Sequence, residues 1–143
     1  MASFNKFNAF AAAMPNGGVN LASDTIKFML TNTVPVATNS IYSDISATEL
    51  ANGNGYTTGG ATATLTSSTQ SGGTYKYIAS LANPTWTATG SMGPFRYVVA
   101  YDSTPASNKY LIGWWDNGSS LTLVSTNTFT VTLDGTNGVF QLA

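Results

Sequence analysis

The sequence contains neither histidine nor cysteine. Without them there is no disulfide, no thiol chemistry, no imidazole general base and no ordinary transition-metal ligand set. Charge is scarce as well. Lys, Arg, Asp and Glu make up 8% of the 143 residues, against about 25% in an average soluble domain. Five basic and six acidic residues give a formal net charge of −1. A chain with no basic surplus is a poor nucleic-acid binder, because such binding is driven by phosphate neutralisation and counterion release. No apolar stretch approaches the ~20 residues that span a bilayer as a helix, so no membrane partner is expected. The N-terminal apolar run, Ala9 to Met14, is shorter than the core of a secretory signal.

What is present is core material. Hydrophobic residues are 43% and aromatic residues 12% of the chain, enough for one packed domain and too much for a disordered segment. The N terminus has the one helical pattern. Phe4, Phe7, Ala11 and Met14 recur at three- and four-residue spacing, Ser3 is an N-cap candidate, and Pro15-Asn16-Gly17-Gly18 is a stop. The expected organisation is therefore a helical arm and hinge over 1–18, followed by one domain over 19–143. So apolar a stripe must be covered, either by its own domain or by a neighbouring subunit.

After Gly18 the pattern is β. Ile26, Phe28 and Leu30 alternate within Thr25–Thr31, and Phe129, Val131 and Leu133 alternate with Thr128, Thr130 and Thr132. Further strands are expected over Ala61–Thr66, Thr74–Ala79, Trp86–Thr89, Phe95–Tyr101, Lys109–Trp115, Ser120–Val124 and Val139–Leu142, with Ser43–Leu50 ambiguous or a helical turn. Turn signals separate them: Asn52-Gly53-Asn54-Gly55, Gly59-Gly60, and the Asp-led Asp116-Asn117-Gly118-Ser119 and Asp134-Gly135-Thr136-Asn137-Gly138. Many short strands without crossover helices predict an all-β, antiparallel β-sandwich, jelly-roll-like, with a short N-terminal helix.

No catalytic constellation emerges. The six acids, Asp24, Asp44, Glu49, Asp102, Asp116 and Asp134, show no pairing of the glycosidase kind, and a serine triad lacks its histidine. The protein is expected to be no enzyme and to carry no cofactor. The Asp116 and Asp134 turns are the calcium candidates, with hairpin turns as the simpler reading. Trp86, Tyr97, Tyr101, Trp114 and Trp115 are either core and interface residues or a sugar-stacking platform. Adjacent Trp114 and Trp115 must point to opposite faces of a regular strand, so at most one is expected in the core.

Phe4-Asn5-Lys6-Phe7, the run Leu21 to Thr33 (LASDTIKFMLTNT), Gly53-Asn54-Gly55-Tyr56, Gly93-Pro94-Phe95-Arg96-Tyr97 and Leu111-Ile112-Gly113-Trp114-Trp115-Asp116 resemble a family of small tailed-bacteriophage virion proteins nearly end to end. The segment Ile78 to Pro84 is longer than the family pattern. The resemblance implies a capsid decoration, or cement, protein. Such a protein is made in the host cytoplasm and sits on the capsid surface of the virion. Its partners would be the major capsid protein and itself, as a homo-oligomer and by the resemblance a trimer. Interface candidates are Phe4, Phe7, Met14, Trp114 and Trp115. The alternative is a tail or fibre module recognising a host glycan.

Overall fold

A computed structural model describes residues 3–63, 65–79, 83–134 and 139–142. In chain order it contains β1 (Asn5–Lys6), α1 (Asn8–Ala13), β2 (Ile26–Thr31), two 3-10 turns (Tyr42–Asp44 and Ser46–Thr48), β3 (Ala61–Ala63), β4 (Leu65–Ser71), β5 (Thr74–Ala79), β6 (Thr85–Thr87), β7 (Met92–Asp102), β8 (Leu111–Leu123), β9 (Thr128–Thr130) and β10 (Phe140–Leu142). Every strand pairing among the described residues is antiparallel. A five-stranded sheet runs β1-β8-β7-β2-β3, a three-stranded sheet β10-β5-β4, and β6 pairs with β9. The chain is an all-β, sandwich-like protein with one short helix.

The central sheet is buried on both faces, and the sequence explains how. On β2, Ile26, Phe28 and Leu30 enter the larger core while Met29 enters a second one; on β7, Val98 and Ala100 enter the first and Val99 and Tyr101 the second. Such near-continuous apolar runs are what a strand covered on both sides requires. The larger core is closed by Tyr77 of β5, Trp86 of β6 and Phe129 of β9. The smaller is closed by Phe7, by Tyr42 of the first 3-10 turn and by Ile45 between the two turns. One face is thus roofed by strands and the other by irregular chain.

The N-terminal segment departs from the helical expectation. Its helix covers only Asn8–Ala13, the N-cap position is Phe7 rather than Ser3, and no side chain caps it. Asn5 and Lys6 instead pair with Trp114 and Gly113 at the edge of β8, and the Phe7 N–H donates to the Ile112 carbonyl at 3.2 Å. A spacing of three puts two residues on one side of a helix but on opposite faces of a strand. Phe4 accordingly meets Trp115 of the larger core and Phe7 meets Trp114 of the smaller. The buried residues of the helix are Phe10 and Ala13, and Ala11 of the expected stripe is exposed. Just after the expected hinge Val19 and Leu21 are buried, and at its end the Tyr110 ring leaves no room for a Cβ on Gly18.

Two further expectations are corrected. Ala61–Thr66 is not one strand, since β3 and β4 belong to different sheets. Asp116 to Ser119 is not a hairpin turn but an outward bulge inside one long β8. Tyr97 pairs with Asp116 and Phe95 with Leu121, so four residues of β8 lie opposite the single residue Arg96. Gly118 has φ +88° there, and the Asp116 carboxylate accepts the Gly118 N–H at 2.7 Å. Residues that favour turns also favour bulges, because both need a positive φ and a local side-chain acceptor. The Asn54-Gly55 turn does close a tight hairpin: Gly53 and Tyr56 exchange both backbone bonds, and both central residues have positive φ. A Cβ on Gly55 would lie 2.1 Å from the Thr87 carbonyl oxygen, so this turn is pressed against β6. Residues 135–138 of the second Asp-led turn and 80–82 of the long Ile78–Pro84 segment lie outside the described residues.

Candidate functional site

The five interface candidates lie at one edge of the central sheet or beside it, and they differ in what is left accessible. Phe7 is fully buried, its ring 4.6 Å from that of Trp114. Phe4 is half-buried, 5.3 Å from Trp115, and Trp115 also stacks on Phe28 at 5.8 Å. Met14 is half-buried beside the larger core. Trp114 and Trp115 do face opposite sides of the sheet, but each packs on a core of its own, because this sheet has two. Both keep partial exposure. The other stacking candidates, Trp86, Tyr97 and Tyr101, are buried. Trp86 lies between Tyr56 and Phe129.

Acidic groups elsewhere hold the fold. Asp44 Oδ2 accepts the N–H groups of Ser40 and Ile41 at 2.8 and 3.1 Å and so caps the first 3-10 turn. Glu49, the only glutamate of the chain, accepts the Tyr42 hydroxyl on Oε2, and on Oε1 the Tyr56 hydroxyl at 2.5 Å and the Gly59 N–H at 2.6 Å. Tyr56 in turn accepts the Leu30 N–H at 3.1 Å, and Tyr101 donates to the Gly59 carbonyl at 2.8 Å. Burial, and after it the hydrogen bond to Glu49, raises the Tyr42 and Tyr56 hydroxyls far above the ordinary tyrosine range. Burial with the Glu49 charge puts Tyr101 at about 12. These tyrosines are donors at every physiological pH, and a carboxylate saturated by three donors is no free base.

The Asp116 carboxylate meets Arg96 as a two-pronged pair, Nε–Oδ1 at 2.7 Å and Nη2–Oδ2 at 2.8 Å. The Arg96 hydrogen bonds, then the Gly118 N–H, hold Asp116 down at about 2. Both of its oxygens are therefore occupied by the guanidinium. Among the described residues no group of three or more Asp or Glu is placed to hold a metal ion.

Two accessible features lie beside β8. A cleft of about 210 Å³ has Val98, Trp115 and Phe129 among its walls, with Asn117, Thr130 and Asp134 contributing polar atoms. The second feature had no strong sequence signal. Val34 and Val36 are 59% and 50% exposed in the loop after β2, on either side of a buried Pro35. The Asn39 side chain accepts the Val36 N–H at 3.0 Å, and the Val36 carbonyl accepts the Asn39 N–H at 2.9 Å, which closes this loop on itself. Ser120 of the β8 bulge donates to Asn32 Oδ1 at 2.6 Å, so loop and bulge share one end of the sandwich. Val-Pro-Val in a Thr- and Asn-rich stretch was the available sign, but periodicity does not separate an exposed valine from a buried one. No helix among the described residues is long and apolar enough to cross a membrane. Comparison with protein-family models, curated proteins and solved structures finds no match to this chain.

Proposed function

We propose that the protein is a bacteriophage capsid decoration protein, a non-enzymatic homo-oligomer that binds the major capsid lattice and stabilises the head. The virion family resemblance supplies the partner, and with it the capsid-surface location and the trimer. The observation that carries the reading is the Val34-Pro35-Val36 loop: two exposed apolar side chains on a tip fixed by a buried proline and by the Asn39 bonds. A preorganised apolar tip loses little entropy on docking, and repetition over a lattice multiplies weak single contacts. Low charge suits such packing, because neighbouring copies do not repel one another.

The test is addition of the purified protein to undecorated heads, with copies per particle counted by cryo-electron microscopy. Many copies at symmetry-related head positions are expected. Val34→Asp with Val36→Asp should remove them without changing the melting temperature. A few copies at the tail, or none on the head, overturn the reading.

A second reading, a tail or fibre module that binds a host glycan, is favoured by the cleft at Trp115. An apolar wall beside amide, hydroxyl and carboxylate groups matches the two sides of a sugar ring. Glycan-array binding that is lost in Asn117→Ala would select it.

A further inference from the structure

The end of the sandwich away from the valine loop holds an arrangement that neither reading uses. Asp102, the last residue of β7, is completely buried. Its Oδ1 accepts the Thr104 N–H at 2.9 Å. Its Oδ2 is buried too, and no N–H or O–H among the described residues reaches it. The bonds of the adjacent Thr25 with Ser103 and Thr104 bring a second carboxyl group alongside it, that of Asp24 in the loop between α1 and β2. Asp24 is half-buried and already engaged, with Oδ2 accepting the Asn20 N–H at 2.6 Å and Oδ1 the Ser23 hydroxyl at 3.3 Å.

Among the described residues no lysine or arginine forms an ion pair with either acid. Lys27 has its ammonium beside Gly59, and Lys109 has its own over the Tyr42 ring. Across the sandwich, β5 brings the Tyr77 hydroxyl near Asp102, and burial holds that group at about 12, so it stays protonated. Lys76 precedes Tyr77 on β5 and points to the opposite face. Among the described residues the titratable groups facing Asp102 are therefore Asp24 and Tyr77. Two carboxyl groups held side by side in a low-dielectric corner do not both stay ionised. One proton between them satisfies Asp102 Oδ2 and removes the repulsion.

We propose that Asp24 and Asp102 share a single proton and form an acid-fastened latch, which ties the α1–β2 loop to the end of β7 and loosens when that proton leaves to water. The neighbouring bonds show what the latch holds. Thr25 N–H donates to Thr104 Oγ1 at 2.7 Å, and the Ser103 N–H and hydroxyl donate to the Thr25 carbonyl at 2.9 and 2.8 Å. Burial first, and the Asp24 carboxyl with it, lifts Asp102 to about 6. A carboxyl raised on folding stabilises fully below the unfolded value, near 4, and that contribution is lost as pH rises through about 6.

The test is a carboxyl-carbon NMR titration of the full chain, wild type and Asp24→Asn, from mildly acidic to mildly alkaline pH. Amide protection factors are followed in the wild type over the same range. Asp102 is expected to titrate well above the usual value of about 4, and its midpoint should fall in Asp24→Asn, where an amide donor replaces the second acid. Protection at Thr25 and Ser103 should drop about tenfold or more as pH passes the midpoint, while the Val98 and Val99 amides hold. An Asp102 midpoint near the usual carboxyl value overturns the proposal. So does a raised midpoint that Asp24→Asn leaves unmoved, since burial alone then accounts for it, and so does unchanged protection at Thr25 and Ser103.

Discussion

Two corners of this sandwich each turn on one acidic residue, and they solve the same problem in opposite ways. At the Glu49 corner three donors converge on one carboxylate, which pins the 3-10 turns and the 56–60 loop to the central sheet. At the Asp102 corner a buried carboxyl has the N–H and hydroxyl of Thr104 alone for donors and a second acid for a neighbour. Burial acts at both corners, and the donor count separates them. Burial raises a carboxyl whose donors are few and whose neighbour is another acid, and Asp102 keeps its proton only below about pH 6.

The sharpest way to break the comparison is Glu49→Ala. It leaves two tyrosine hydroxyls and the Gly59 N–H without their acceptor, so a loss of about 2–4 kcal/mol is expected in urea denaturation at pH 7. A loss no larger than that of an ordinary surface substitution would mean that water replaces Glu49 freely and the two corners do not differ. Tyr56→Phe is a smaller perturbation of the same corner. It removes one donor from Glu49 and the acceptor of the Leu30 N–H, for an expected cost of about 1–2 kcal/mol. Leu30 amide exchange should accelerate in parallel, and an unchanged rate would separate the Leu30 bond from the tyrosine.

The smallest effect belongs to Asp116→Asn. The Arg96–Asp116 pair has well-aligned geometry, but both side chains are 37% exposed, and solvent screens such pairs strongly. Little change in the denaturation midpoint is expected at neutral pH. Because Asp116 is held down at about 2 in the folded protein, its contribution is present above pH ~4 and is lost as pH falls through about 2, the reverse of Asp102. Wild type and Asp116→Asn should therefore converge in strong acid, and any residual difference at neutral pH should shrink in high salt.

Residue chemistry close in sequence was legible from the start. Thr74–Ala79 is a strand with the expected bounds, and Ile26–Thr31 falls within the expected Thr25–Thr31. Asn54-Gly55 is a tight turn, and Trp114 and Trp115 point to opposite faces. These follow from period-two alternation and from which residues accept positive φ, both local properties. The Phe4–Phe7 spacing fits a helix and a strand equally well, and the open edge of β8 decided between them by supplying backbone partners. Asp116 to Ser119 suits a turn or a bulge, and pairing with β7 on both sides of it made it a bulge. The ionisation of the acids lay furthest from reach. Nothing in the chain order distinguishes Asp102 from Asp116, since both follow apolar strand residues. The sequence by itself determined that the chain is all-β with short, turn-punctuated strands, because alternation and turn chemistry act over a few residues. Only the tertiary structure decided which acid meets an arginine and which meets another acid, because electrostatic partners are set by proximity in space across the sheets.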